Sequence, residues 1–207
     1  LLGLFEKTFE EQNPDIDVRW LDMGSQEVYD RIRSESVNPQ ADVWFGGPAT
    51  ILARGVADDL LEPFRPTWAD ALGPSSRHPE DFYFSLYRTP PILVYNEQAV
   101  TAEEAPKDWD DLLDPKWKGQ VLIRDPLASG TMRTIFGMIL AQSVARTGDT
   151  AEGFDWLRRL DAQTKEYAHN PALLHLKMER QEGVVTCWEL TDILFQRQRG
   201  APLAYHF

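Results

Sequence analysis

Apolar positions along the chain follow two periodicities, one typical of helices and one typical of short strands. The clearest helical pattern begins near Ser129. Its apolar face consists of Met132, Ile135, Phe136, Ile139 and Leu140. Further helices are predicted at residues 4–9, 109–113 and 154–160, and after Ser25, Pro48, Asn170 and Trp188. Apolar runs predict strands at residues 16–21, 41–47, 82–87, 92–96, 120–123, 183–188 and 202–207.

The predicted strands and helices alternate, with glycine or polar turns between them. The order strand, turn, helix is typical of a parallel sheet flanked by helices, so the sequence predicts an α/β fold. The character of the chain changes at Tyr95-Asn96, where two predicted strands give way to a polar segment. We therefore expect two consecutive α/β units, residues 1–95 and residues 96–207, without an internal repeat.

The composition argues against several functional classes. The 207 residues carry a formal net charge of −12, and no cluster of Lys and Arg is visible, so a nucleic-acid partner is not expected. No apolar run approaches the roughly twenty residues of a membrane-spanning helix. The four histidines lack metal-ligand spacing, and the single cysteine, Cys187, excludes a multi-cysteine zinc site. We expect neither a metal nor a cofactor.

Three junctions between a strand and a helix carry the residues best suited to a ligand. In open α/β sheets, ligands lie beyond the carboxyl ends of strands, where helix N-termini expose unpaired N–H groups. The junctions are Gly46-Gly47-Pro48, Ser129-Gly130-Thr131 and the segment from Trp188 to Asp192. The N–H groups and the helix dipole favour a phosphate, carboxylate or sulfate there. Taken alone, the local sequence favours Ser129 as a simple helix cap.

Four longer stretches carry further landmarks, in order and at ordinary spacing. They read "ADVWFGGPATILARGVADDLLEPF", "TPPILVYNEQAV", "PKDWDDLLDPKWKGQVLIRDPLASGT" and "EGFDWLRRLDAQTKEYAHNPALL". Together they resemble the extracellular solute-binding proteins of bacterial ABC importers, in the group typified by ferric-ion-binding proteins. The resemblance covers nearly the whole chain, and its most specific part is the tryptophan-rich third stretch with its final "DPLASGT".

The resemblance implies a two-lobed, type II periplasmic-binding-protein fold with the ligand in the cleft between the lobes. Residues 1–95 would then form a first lobe without its first strand and its C-terminal return, and residues 96–207 the second lobe, so the chain is expected to be incomplete at both ends. The resemblance further implies a monomer without enzymatic activity that delivers a small solute to a membrane ABC permease. The expected location is periplasmic or extracellular, with lipid anchoring left open.

The expected ligand differs from that of the ferric-ion-binding members. Those proteins present two adjacent tyrosines, and the matching positions here, Leu190 and Thr191, supply no phenolate. A small organic anion bearing phosphate, phosphonate or carboxylate is expected instead. The predicted ligand-binding residues are Gly46, Gly47, Arg88, Ser129, Gly130, Thr131, Trp188, Thr191 and Asp192. Arg124 and Arg133 are alternatives to Arg88 as the positive charge, while core packing explains Trp188 equally well.

Alternative functions stay open at this point. Fe(III) could bind through ligands other than a tyrosine pair or through a synergistic anion. Glu189 and Asp192 could bind an ammonium group, in which case a zwitterion such as an aminophosphonate would contact both ends of the site. The chain could also be a ligand-sensing module, or a hydrolase. The hydrolase is the weaker idea because "ASGTM" around Ser129 lacks the first glycine of a nucleophile elbow.

Overall fold

The structure, a computed structural model, describes residues 2–207. Over that range the chain forms seven α-helices and five strands. The helices are α1 Leu2–Gln12, α2 Ser25–Ser34, α3 Ala49–Ala57, α4 Gly130–Thr147, α5 Ala151–Gln163, α6 Pro171–Glu179 and α7 Leu190–Gln198. The strands are β1 Pro91–Asn96, β2 Val121–Arg124, β3 Thr164–Ala168, β4 Val185–Glu189 and β5 Leu203–His206. Short 3₁₀ helices lie at Ala69–Ala71, Pro74–Ser76, Trp109–Leu113 and Pro115–Trp117.

The five strands form one mixed sheet in the order β3-β2-β4-β1-β5. β2 runs parallel to β3 and to β4, whereas β1 is antiparallel to both of its neighbours, β4 and β5. Pro91 therefore pairs with Glu189, so the beginning of β1 and the end of β4 lie at the same edge. This edge, formed by the carboxyl ends of β2, β3 and β4, is called the carboxyl edge below.

The core lies around this sheet. Ile92 to Tyr95 of β1, Val121 to Ile123 of β2 and Val185 to Trp188 of β4 are all buried, as expected for strands covered on both faces. From α4, the side chains of Met132 and Ile135 pack into the same cluster. The predicted α/β class is confirmed, as are the predicted helices and the strands near 92–96, 120–123, 183–188 and 202–207.

Helix ends follow from local side chains. Ser129 caps α4, because its hydroxyl oxygen accepts a hydrogen bond from the Met132 N–H at 3.2 Å. At the other end, Gly148 adopts a left-handed conformation with a φ of 87°, which stops the helix. Asn170 caps α6 in the same way as Ser129, accepting from the Leu173 N–H at 2.8 Å. The predicted start of α4 is therefore confirmed.

Three predicted strands are wrong. Residues 16–21 and 41–47 form no sheet, and the segment 82–87 contributes only an isolated bridge between Phe84 and Arg77. A strand needs a neighbour to pair with its N–H and C=O groups, and within residues 2–207 no strand lies beside these segments. Their apolar side chains stay partly in solvent, as Leu21 and Val43 show with exposed fractions of 64% and 79%.

One strand was missed. Thr164–Ala168 forms β3 at the edge of the sheet, paired only with β2. Its sequence, TKEYA, is mostly polar, and only Ala168 is fully buried. Because an edge strand is partly exposed to solvent, its sequence lacks the apolar run that marked the central strands.

The predicted boundary between residues 95 and 96 falls within β1, whose residues pair on both sides in the common sheet. The division into two lobes at that point stays a prediction. None of the described helices is both long and apolar enough to cross a membrane. Cys187 lies in β4, fully buried, and burial raises the pKa of its thiol to about 12.

Candidate functional site

Several polar residues lie together at the carboxyl edge of the sheet. Arg124 ends β2 and Glu189 ends β4, and both are followed by helices, α4 and α7. The antiparallel β1 begins at the same edge with Pro91, so the preceding Thr89 is delivered there too. Strand direction alone therefore brings together residues that are far apart in sequence.

The N-terminal turns of α2, α3 and α4 meet beside this edge. The Ser25 hydroxyl oxygen accepts a hydrogen bond from the Gly130 N–H at 3.2 Å, which joins the start of α2 to the start of α4. Gly47, just before α3, lies against the same serine, because a Cβ on Gly47 would stand 3.1 Å from Ser25 Cβ. The N-termini of three helices, each with the positive end of its dipole, therefore meet in one region.

Two glycine positions permit this close approach. A Cβ on Gly130 would overlap the Ser25 hydroxyl and stand 3.0 Å from Pro48 Cδ. Gly47 has a φ of 108°, a backbone conformation that other residues rarely adopt. A side chain at Gly130 would crowd Ser25 and Pro48, and a side chain at Gly47 would strain the backbone.

A cavity of about 1150 Å³ opens beside the starts of α3 and α4. Its wall includes Gly46 and Gly47 from the turn before α3, and Thr131, Thr134 and Ile135 from the first turns of α4. Aromatic side chains, among them Trp44 and Phe84, contribute much of the remaining surface. The size and the mixture of apolar walls with a few polar groups are typical of a small-molecule site.

Glu189 closes the cavity on the side of the carboxyl edge, together with Tyr87 and Thr89. Burial and the neighbouring Asp192 raise the pKa of Glu189, while hydrogen bonds from the Thr89 and Thr191 side chains partly offset that rise. The pKa of Tyr87 is also raised, first by burial and then by the Glu189 charge. The carboxyl group is therefore close to several hydroxyls at the cavity wall.

Three of the nine predicted site residues line the cavity, and two more lie next to it. Gly46, Gly47 and Thr131 line the cavity. Ser129, only 5% exposed, and Gly130 lie directly behind that wall in the first turn of α4. Their predicted ligand contacts stay predictions.

The residues of the third predicted junction, Trp188 to Asp192, are mostly absent from the cavity wall. Trp188 is buried in the core, and its indole N–H donates to Asp192 Oδ2 at 2.7 Å. Neither residue lines the cavity, and neither does Thr191, whose side chain contacts Glu189. The side chain of Glu189 is the member of this junction that faces the cavity.

The three candidate arginines also lie outside the cavity wall. Arg88 is exposed and does not contribute to it. Arg133 holds the loop before α4, donating to the carbonyl oxygens of Pro126 and Leu127 at 2.8 Å each, and it pairs with Gln26 of α2.

Arg124 is only 2% exposed. Its Nη1 donates to the Asp125 and Ala168 carbonyl oxygens at 3.3 Å, and its Nε has no partner among the described residues. Burial lowers the pKa of the Arg124 guanidinium.

Sequence reasoning missed two contributors to the site. Ser25 was identified only as a helix start, although its hydroxyl links α2 to α4. Tyr87 was assigned to a strand, although its side chain lines the cavity and its hydroxyl lies 3.9 Å from the position of a Cβ on Gly46. No local pattern marks either residue, since both contacts join segments that are distant in sequence.

The family model for bacterial extracellular solute-binding proteins matches residues 38–202, which include most of the cavity wall and the strands β1 to β4. The chain belongs to this family. The solute-binding protein is 32% identical over 148 residues to a probable ABC transporter periplasmic-binding protein of Sinorhizobium fredii, covering 71% of the chain and 41% of that relative. It is 28% identical over 187 residues to a putative 2-aminoethylphosphonate-binding periplasmic protein of Salmonella typhimurium, covering 89% and 52%.

The solved structure of the periplasmic binding protein AfuA from Actinobacillus pleuropneumoniae, with exogenous fructose-6-phosphate bound, superposes with a TM-score of 0.81. The two sequences are 28% identical, and the match covers 97% of the solute-binding protein and 63% of AfuA. The predicted periplasmic-binding-protein fold is thereby confirmed. The chain spans about half the length of the curated relatives it matches.

Proposed function

We propose that the chain is the ligand-binding part of an ABC importer's solute-binding protein and that it captures a small phosphate- or phosphonate-bearing organic molecule. The captured solute is handed to a membrane permease. The protein works as a binding protein rather than as an enzyme, in the periplasm or outside the cell.

The observation that carries this proposal is the meeting of helix N-termini at a cavity large enough for a small organic molecule. Gly47 before α3 and Thr131 in α4 line that cavity, with Ser25 and Gly130 in contact beside them. Backbone N–H groups at helix starts stabilise a phosphoryl group without any basic side chain. The Ser25 hydroxyl oxygen already occupies an acceptor position at the first N–H of α4.

Two relatives support the ligand class. The Salmonella protein is named for an aminophosphonate, and the AfuA structure contains a sugar phosphate. The phosphoryl group is the part that these two ligands share. It is also the part that helix N-termini recognise best.

Direct binding of Fe(III) is the weaker alternative. Residues 2–207 contain no group of three or more His, Cys, Asp and Glu side chains placed to hold a metal ion. The first two residues of α7, Leu190 and Thr191, carry no phenol. Hard oxygen ligands are what Fe(III) would require.

The test is a binding screen of the chain against inorganic phosphate, fructose-6-phosphate, 2-aminoethylphosphonate and Fe(III), read by thermal shift and calorimetry. We expect stabilisation by at least one phosphoryl compound, with no hydrolysis of it. Stabilisation by Fe(III) alone would contradict the proposal, and so would turnover of the phosphate ester.

The variant Thr131→Val locates the site within the fold. Removing one hydroxyl that contacts an anion should weaken phosphoryl binding by about tenfold or more, since hydrogen bonds to charged groups contribute about 1.5–3 kcal/mol. The matched control is Thr147→Val in the last turn of the same helix, where the hydroxyl donates to the Ser143 carbonyl oxygen at 3.0 Å. Equal affinities for the two variants would place the anion elsewhere.

A further inference from the structure

The charges on the cavity wall are of one sign. No Lys, Arg or His is among the residues that line it, and its charged members are all acidic. They are Glu35, Asp42, Asp59, Glu62 and Glu189. The chain as a whole adds to this field with its formal net charge of −12. A ligand that is only an anion would enter a negative environment.

Glu189 differs from the other four acids. Asp42, Asp59 and Glu62 are exposed, so solvent and salt screen them, and Glu35 forms an ion pair with Arg31 at 2.9 Å. Glu189 is partly buried where β4 ends and α7 begins, and it shares the cavity with Thr131 of the helix start. Within residues 2–207 no basic side chain forms an ion pair with it.

Repulsion between the Glu189 carboxylate and a bound phosphoryl group is large enough to discriminate between ligands. Two unit charges about 8 Å apart interact with about 2 kcal/mol at an effective dielectric constant of 20. A phosphoryl group at the helix starts would therefore be repelled by an ionised Glu189 unless a positive charge lies between them. No side chain of the cavity wall supplies that charge, whereas an amino group on the ligand itself would supply it.

We infer that Glu189 binds an ammonium group of the ligand, and that the solute is a zwitterion with a phosphoryl group at one end and an amino group at the other. The helix starts around Thr131 and Gly47 hold the phosphoryl end. The carboxylate of Glu189, which lines the same cavity, holds the amino end. This assignment rests on the proposed function and narrows its ligand class to amino-substituted phosphonates and phosphates.

A matched pair of ligands tests the inference. 2-Aminoethylphosphonate and ethylphosphonate differ in the amino group alone, and calorimetry measures the binding of each to the unaltered chain. We expect the amine-bearing compound to bind at least tenfold more tightly. In Glu189→Gln the two affinities should become equal within about threefold, because ethylphosphonate binding stays the same or improves. Glu103→Gln, which neutralises an exposed acid far from the cavity wall, should keep the original ratio.

The outcomes separate the two proposals. If ethylphosphonate or fructose-6-phosphate binds the unaltered chain as tightly as 2-aminoethylphosphonate, the ammonium assignment is wrong while the phosphoryl-binding function stands. If Glu189→Gln weakens both members of the pair equally, Glu189 has a structural role and the assignment is again wrong. If no phosphoryl compound binds, the proposed function fails, and the ammonium assignment fails with it.

Discussion

At the scale of single residues, His175 is the most unusual titratable group in the described structure. It is 3% exposed, neither ring nitrogen has a hydrogen-bond partner among residues 2–207, and its Nε2 lies 3.7 Å from Asp192 Oδ2. Burial lowers the pKa of the imidazole, and the carboxylates of Asp192 on α7 and Glu179 on its own helix oppose that shift. His175 is therefore neutral in the folded protein around pH 7.

Stability should fall on mild acidification because of this residue. In the unfolded chain the imidazole takes up a proton near its ordinary pKa of 6.5, whereas in the folded chain it does so only at lower pH. The unfolded state binds more protons in that window, so the free energy of unfolding decreases by up to about 1.4 kcal/mol per pH unit below pH 6.5. Urea unfolding of His175→Gln between pH 7.5 and 5.5 should show a shallower decrease.

The control for that series is His169→Gln, which alters an exposed imidazole. It should follow the pH dependence of the unaltered protein. Identical slopes for all three proteins would mean that folding does not change the pKa of His175, against the direction given by its burial.

At the scale of secondary-structure elements, α4 is the helix whose placement decides the site. Its start must approach α2 and α3 closely, and Gly130 is the residue that allows this. The sequence identified the helix, its cap Ser129 and its buried face, because those features follow from capping chemistry and periodicity. The contact with Ser25 could not be predicted, since 105 residues separate the two positions.

Two alanine substitutions in α4 should differ in their effects on ligand binding and on stability. Gly130→Ala places a methyl group onto Ser25 and Pro48, so it should separate the helix starts and weaken phosphoryl binding by about tenfold or more. Gly137→Ala meets nothing within 4 Å and should stabilise the protein by about 0.5–1 kcal/mol with unchanged binding. Calorimetry and urea unfolding of both variants provide the comparison. Unchanged binding in Gly130→Ala would show that the close approach is irrelevant to the ligand.

Burial and pairing explain which strands could be predicted from the sequence. β1, β2 and β4 are buried on both faces, so apolar runs such as "ILVYN" identify them without knowledge of their neighbours. β3 depends on pairing with β2 alone and carries polar residues, so its sequence looks like a loop. Segments 16–21 and 41–47 show the reverse error, because apolar content without a pairing partner does not make a strand.

At the scale of the whole molecule, the backbone hydrogen bonds between strands are unevenly distributed along the chain. All five strands of the sheet lie between residues 91 and 206, whereas residues 16–21 and 41–47 have no ladder bonds. The family and fold were predictable because motifs over nearly the whole chain resemble solute-binding proteins. The acidic character of the cavity wall was not predictable, because its acidic residues come from segments spread between residues 35 and 189.

Hydrogen exchange measured by mass spectrometry should reproduce this division. Amides of residues 92–96, 121–124 and 185–189 lie in the sheet, so they should exchange only through large openings of the structure. Amides of residues 19–21 and 41–47 should exchange within the shortest labelling times. Strong protection of residues 41–47 would contradict the absence of sheet pairing there.

The buried cysteine of β4 has a practical consequence for optical biosensing. With the thiol of Cys187 fully enclosed and held protonated, the protein offers no reactive sulfur to maleimide dyes in its folded form. A single cysteine introduced at Leu86, which lines the cavity and is 57% exposed, would then be the one labelled position. A fluorophore attached there converts the chain into a reagentless sensor, whose emission follows occupancy of the cavity without a coupled reaction.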